Sequence, residues 1–340
     1  MSGSRKPLLL VDLLNWVHAH YYSARGSSSP SVTVVRKLVV LRDKYALERV
    51  IACGESPTGR TFRHDLVPDY KLKVAKELPE GVSEHVASAI ELGRAEGIEY
   101  CHAINFEADD VIGSFASRHH GPVIIASSDG GLRQCLETGR VTILERIAES
   151  GEMEWFTADN LCSPDHDSHQ PMARSGSPGP SGPPGWGISP AQCVDYLCLV
   201  GANRNGIHGA PGIGEKRATE LLQQYGSFAG IVEAADTGKL TAGMAAGVKD
   251  LAPRIELVRQ LVTVRRDALS AGHAWQCQLE TLPGHVRALV CRCPACAGGT
   301  SVYSDVPGDE NDRVIVWVKG IIAQRGWFDP MRDVAGASAV

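Results

Sequence analysis

The stretch Phe106-Glu107-Ala108-Asp109-Asp110-Val111-Ile112-Gly113 places three carboxylates within four positions, directly ahead of an apolar helical run. Acids that close, in a partly buried place, do not all ionise without positive charge between them. A divalent cation supplies such charge, and hard oxygen donors favour Mg²⁺ or Mn²⁺. The same residues also suit a simpler role, an acidic first turn complementing a helix dipole. On their own they leave both readings open.

The neighbouring elements bear on that choice. Pro7-Leu8-Leu9-Leu10-Val11-Asp12 is an apolar run ending in an acid, the pattern of a strand buried on both faces. A helical pattern follows from Leu14 to Tyr22, and an amphipathic helix from 32 to 47. Further strands are expected over Arg49–Cys53, Ile98–His102, Pro122–Ala126 and Val141–Leu144. Between them lie a helix over Ser83–Glu96, with Ser83 as N-cap, the helix opened by the acidic stretch, and a short helix over Leu132–Leu136. Strands alternating with helices imply an α/β fold with a mainly parallel sheet, whose sites form beyond the carboxyl ends of the strands. Asp12 and Asp129 each follow a strand end, and the Glu107 stretch opens a helix after another. Acids from three loops thus reach one sheet edge, which favours a metal site.

Residues 55–76 differ from the rest of the chain. From Arg60 to Lys76 there are five positive residues (Arg60, Arg63, Lys71, Lys73 and Lys76) against Asp65 and Asp69, with Phe62 and Tyr70 interleaved. Such a segment tracks a phosphate backbone and stacks on bases, or else it is a solvated surface face. The formal net charge of -5 over 340 residues carries no overall basic signal, so nucleic-acid contact has to come from local patches.

Pro, Gly and Ser fill 16 of the 25 positions from 163 to 187, a composition expected to stay disordered. Helical pattern resumes at Ser189-Pro190-Ala191 and runs to Val200. Gly209-Ala210-Pro211-Gly212-Ile213-Gly214-Glu215-Lys216-Arg217 then enters another helix at a basic pair. Glycines let a backbone approach phosphate, and a helix start offers N–H donors. A dinucleotide fingerprint needs a strand just ahead, and here a helix precedes. Helix–hairpin–helix contact with a DNA backbone fits better, with a plain interhelical turn as the alternative. The cluster Cys291-Arg292-Cys293-Pro294-Ala295-Cys296, with Cys277 or His285, is either a zinc site or a set of unliganded thiols. Val314–Val318 reads as one more strand, in a tail with no assignable role. Ten scattered cysteines and no secretory or membrane segment point to a reducing cytoplasm.

Taken together, residues 7–268 resemble the prokaryotic and phage 5′-nucleases, which include flap endonucleases and the 5′–3′ exonuclease domain of DNA polymerase I. The matching pieces are Leu10-Val11-Asp12, Phe62-Arg63, Pro68-Asp69-Tyr70-Lys71, the Glu107–Gly113 stretch, Ser128-Asp129, Asp195–Gly201 and Pro211–Lys216. The resemblance implies a PIN-like nuclease core over 1–160, an inserted segment over 161–187, a helix–three-turn–helix subdomain over 188–270 and an extension over 271–340. It implies metal-assisted hydrolysis of DNA with 5′ ends or flaps, and no membrane partner. Asp12, Glu107, Asp109 and Asp110 are the expected Mg²⁺ or Mn²⁺ ligands, with Asp129 beside them. Lys71 is the expected neutraliser of phosphate charge. Arg63, Tyr70, Lys71, Lys73, Gly212, Gly214, Lys216 and Arg217 are expected to touch DNA, and backbone oxygens near Gly212–Gly214 to hold K⁺.

The departures from the family pattern concern the second metal position. Cys53-Gly54-Glu55 stands where the family ends its second strand in Asp, so that Glu55 substitutes only with a shift of one residue. Gly131, Ala202 and Asn205 stand where it carries further acids, Ala19 where it carries Arg, and Val74 where it carries a second base. With Asn15 and Arg63-His64, this pattern is most similar to the exonuclease-nine-type paralogues. It implies a weakened nuclease or, alternatively, a flap- or junction-binding protein that does not cut; a replisome scaffold acting through the tail is a third possibility.

Overall fold

The computed structural model describes residues 6–23, 29–72, 79–147, 151–162, 186–269, 274–276, 278–282, 286–290 and 300–303. Lys73, Lys76, most of the Pro/Gly/Ser-rich segment, the Cys291–Cys296 cluster with Cys277 and His285, and Val314–Val318 lie outside them.

A seven-stranded sheet forms the core of the first half, in the order Met153–Phe156, Val141–Ile147, Val123–Ala126, Leu8–Asp12, Arg49–Gly54, Glu99–Ala103 and Ala274–Gln276. β1 (Leu8–Asp12) is central and pairs in parallel with β2 (Arg49–Gly54) and β4 (Val123–Ala126), with Leu10 opposite Ile51 and Ile125. β3 (Glu99–Ala103) and β5 (Val141–Ile147) extend the parallel set on either side. Because side chains alternate along a strand, the continuous apolar run of β1 serves two cores. Leu9 and Val11 join Trp16, Val34, Leu38 and Ile90 on one face, while Leu8 and Leu10 join Val111, Ile112 and Leu132 on the other. Asp12 is in phase with Leu8 and Leu10, which places it on the same face as the acidic helix.

The edges of the sheet were not foreseen. β6 (Met153–Phe156) and β7 (Ala274–Gln276) are both antiparallel additions, and β7 brings the chain back onto β3 after the second half. A further sheet of three strands covers Gln278–Leu282, Val286–Val290 and Thr300–Tyr303. The helix expected to start at Ser83 begins at Val82 instead, capped by Gly81 at φ +87°, a left-handed turn for which Gly is suited.

The second half is helical. After a turn at Pro190–Gln192 come helices Cys193–Val200, Glu215–Tyr225, Phe228–Asp236, Ala242–Leu251 and Ile255–Val262. Asp195 ties this half together: its carboxylate accepts the Phe228 N–H at 2.8 Å and the Arg259 guanidinium at 2.8 Å. The segment from Leu261 to Ala268 then returns across the acidic helix, with the Val264 and Arg265 N–H groups donating to Gln134 and Asp110. Gly113 allows that crossing, since a Cβ there would lie 2.4 Å from Val264 Cγ1 and 2.9 Å from the Arg265 carbonyl. Among the described residues no helix is long and apolar enough to cross a membrane.

Candidate active site

Asp12 ends β1 with 7% of its surface exposed. Its orientation is fixed from two sides: Oδ1 accepts the Asn15 N–H at 3.1 Å, and Oδ2 accepts the buried Ser127 hydroxyl at 3.0 Å. Ser127 in turn accepts the Asp129 N–H at 3.1 Å, and Asn15 Oδ1 receives both the N–H and the hydroxyl of Ser128. The ends of β1 and β4 are therefore stitched together, with an acid following each. Asp129 is exposed and caps the next turn through the Gly131 N–H.

The acidic helix runs from Ala108 to Arg118 with Glu107 at its N-cap. Glu107 is buried, and its carboxylate meets Lys71 Nζ at 2.9 Å and Arg63 Nη1 at 3.5 Å. Asp109, half-buried, faces the same space as Asp12 and Asp129. Burial raises its carboxyl well above the usual range, and the charges of Asp129 and Asp12 add to the rise. Asp12 is likewise pushed up to about 6, by burial first and then by Asp129. These shifts mark a crowd of like charges.

Glu55 belongs to this crowd. Its carboxyl is pushed up to about 7 by burial, with Glu107 and Asp12 adding to the rise, while Lys71 and a hydrogen bond from the Ala108 N–H lower it. The shift of one residue past β2 is spanned by the longer Glu side chain, whose Oε2 lies 3.4 Å from that N–H. Its place after a strand end was the signal in the sequence.

Three expected site residues are placed otherwise. Asp110 has no exposed surface, and its oxygens accept from Arg63 Nη1 at 2.6 Å, Arg63 Nη2 at 3.0 Å, the Arg265 N–H at 2.8 Å and the Glu107 N–H at 3.0 Å. With its acceptor positions spent on protein donors, it braces the helix start rather than facing a metal. Arg63, expected on DNA, is 2% exposed and also donates to the Leu261 and Thr263 carbonyls. Tyr70, expected as a stacking platform, is 3% exposed, with its hydroxyl 3.4 Å from Glu107. In both cases an apparently basic or aromatic surface residue is consumed by the interior.

The donor set of Asp12, Glu55, Glu107, Asp109 and Asp129 is all oxygen, as a hard divalent cation requires. Among the described residues, no three His, Cys, Asp or Glu side chains are already gathered closely enough to hold a metal.

In the second half, Gly212 turns at φ +77° and Gly214 caps the helix Glu215–Tyr225, while buried Ile213 anchors the loop between them. A Cβ at Gly212 or Gly214 would meet nothing within 4 Å, so the loop backbone faces open space. Lys216 and Arg217 are both exposed. Arg217 donates to the Gly212 carbonyl at 2.6 Å. The loop lines an open groove of about 940 Å³ together with His208, Asp250 and Arg254.

Residues 7–163 match the family model for the 5′-3′ exonuclease N-terminal resolvase-like domain, and residues 188–282 the model for the 5′-3′ exonuclease C-terminal SAM fold. A 5′-3′ exonuclease of Streptomyces coelicolor is 28% identical over 280 residues, 76% of this chain and 86% of that protein. The flap endonuclease Xni of Aeromonas hydrophila is 28% identical over 251 residues, 69% of this chain and 81% of that protein. The bacteriophage T5 5′-exonuclease, solved with zinc bound, shares the fold at a TM-score of 0.58 and 18% identity, covering 78% of this chain and 92% of that one.

Proposed function

This chain belongs to the 5′-3′ exonuclease family, and on that premise we propose that it is a metal-dependent, structure-specific nuclease acting on DNA with 5′ ends or flaps, with a depleted second metal position. The observation that carries the reading is the meeting of Asp12, Glu55, Glu107 and Asp109 with Lys71 at the carboxyl edge of one parallel sheet.

Asp12, Glu55, Glu107 and Asp109 would hold Mg²⁺ or Mn²⁺ directly or through water, with Asp129 at the exposed rim. Such an ion, when bound, activates water and polarises a phosphate. The chain's own residues prepare the site. Ser127 and Asn15 keep Asp12 aimed at the cluster. The Arg63–Asp110 pair fixes the start of the acidic helix, and with it Glu107 and Asp109. Lys71 supplies positive charge where a scissile phosphate would lie. The Gly212–Gly214 turn offers backbone N–H groups, and Lys216 an exposed charge, to a phosphate backbone. A K⁺ at the Gly212 carbonyl requires Arg217 to turn away from that oxygen.

We assign 1–160 to the nuclease core and 188–270 to the DNA-binding subdomain, with 161–187 as an insertion and 271–340 as an extension. The unpaired state of Cys53, Cys101, Cys135, Cys162, Cys193 and Cys198 supports a reducing cytoplasm. A second reading, binding of flaps without cleavage, is favoured by Gly131, Ala202 and Asn205, none of which can ionise to complete a second metal position.

Cleavage of a 5′-flap duplex in Mg²⁺ or Mn²⁺ decides between the readings, with Asp12→Asn as control. Metal-dependent cutting lost in the variant supports the nuclease. Cutting that survives the substitution overturns it, and tight flap binding without cutting in either metal favours the second reading.

A further inference from the structure

The backbone of Lys71 is unusually constrained. Its φ is +54°, in the left-handed region that non-glycine residues adopt at a cost. The conformation is held by its N–H, which donates to the Asn205 carbonyl at 3.0 Å, on the turn that leads into the DNA-binding loop. The main chain of Lys71 is thus pinned between the two halves, and the side chain is the part left to move.

That side chain is turned into the carboxylate cluster. Nζ lies 2.9 Å from Glu107 Oε1, with 29% of the lysine side chain exposed against 6% of the glutamate. That ammonium is the counter-charge of Glu107, a member of the acid cluster. A divalent cation entering the cluster meets the same acids and repels that ammonium.

We propose that Lys71 is the resident counter-ion of the cluster, competing with the divalent cation for Glu107, so that cation loading and outward release of the Lys71 side chain are one coupled event. The proposal rests on the metal-site reading above. Its logic is charge exchange: Nζ and a divalent ion draw on the same Glu107 oxygen, and an ammonium beside a divalent ion is destabilised. No covalent bond changes. By reciprocity, a DNA phosphate that draws Lys71 outward strengthens cation binding by the same factor that the cation strengthens phosphate contact. The pinned backbone keeps the released lysine at the mouth of the site.

The test is Mn²⁺ affinity of the full chain without DNA, read by electron paramagnetic resonance of free Mn²⁺. Wild type, Lys71→Met and Lys71→Arg are compared, and Asp12→Asn identifies the site. Lys71→Met is expected to bind Mn²⁺ about threefold to tenfold tighter, the scale of one partly exposed charge pair. Lys71→Arg, which keeps the charge, should match wild type. Unchanged or weaker affinity in Lys71→Met, with binding still abolished by Asp12→Asn, overturns the competition but leaves the metal site standing. Absence of any Asp12-dependent Mn²⁺ binding overturns both. Amine labelling of the wild-type chain read by mass spectrometry needs no variant: Mn²⁺, at concentrations that load the Asp12-dependent site, should increase modification at Lys71, and decreased or unchanged labelling overturns the coupling.

Discussion

Arg63 and Asp110 face each other fork to fork, at 2.6 and 3.0 Å, with 3% and 0% of their side chains open to solvent. Neither is available to ligand or solvent, yet both lie within the stretches that match the family. Truncating either removes the main counter-charge of a buried partner. Arg63→Ala and Asp110→Ala should each cost ~3–5 kcal/mol, measured by urea unfolding monitored by circular dichroism. A loss below ~1 kcal/mol would show that the pair is not structural. Asp110→Ala is accordingly a poor control for chemistry, because loss of cutting there reports loss of the helix start.

Raised carboxyl pKa values have a sign that can be worked out. Asp12 titrates near 6 in the folded chain against roughly 3.9 unfolded, and Glu55 near 7 against roughly 4.3, so the folded state holds more protons between those values. Stability of the metal-free chain therefore falls as pH rises from about 4 to about 7. Lys71 is shifted upward, so its contribution is constant over that window and fades only in strong alkali. Melting in EDTA should drop by a few °C between about pH 5 and pH 8, and Mg²⁺ should restore most of it at the upper end. A melting temperature that rises with pH in EDTA would contradict the crowding of acids.

Ser127→Ala removes the hydroxyl that holds Asp12 Oδ2 but leaves every carboxylate in place. Flap cleavage should fall by about tenfold, with DNA affinity unchanged, on loss of one hydrogen bond that orients a charged group. An equal loss of DNA affinity would place Ser127 in binding instead.

Lys216→Ala should weaken DNA binding evenly across sequences and flatten the salt dependence by about one counter-ion, since Lys216 is exposed at the start of its helix. Fluorescence anisotropy over a salt series measures this, and an unchanged slope would exclude the contact.

Gly113→Ala should destabilise by about 1–3 kcal/mol, because its Cβ would strike Val264 and the Arg265 carbonyl. Thermal unfolding with no change would mean that the returning segment yields freely.

Much of this was legible in the sequence for one physical reason. A buried parallel strand is a continuous apolar run, so its end, and any acid there, can be located without knowing the fold. That made Asp12 and Asp129 readable, and Glu55 too once a shift of one residue past its strand is allowed. Arg63 and Tyr70 were misread because a local run of bases and aromatics does not record whether the interior consumes them. Their partners, Asp110 and the Leu261 and Thr263 carbonyls, are distant in sequence. The helices Phe228–Asp236 and Ala242–Leu251 carried a usable signal, since Ser227 and Thr241 each cap a helix through the N–H three residues on.

The return of Leu261–Ala268 across the acidic helix also sets an order of events in synthesis. Arg63 emerges from the ribosome long before the carbonyls of Leu261 and Thr263 that complete its partners, at separations of 198 and 200 residues. Gln134 and Ser114 wait in the same way for Val264 and Ala268. Closing loops of that length comes late in folding. A nascent chain therefore exposes its acids before their scaffold is finished, and a protein truncated ahead of Leu261 would carry the acidic motif without a braced site. The bracing of the acidic helix is complete only once the residues from Leu261 to Ala268 have been made.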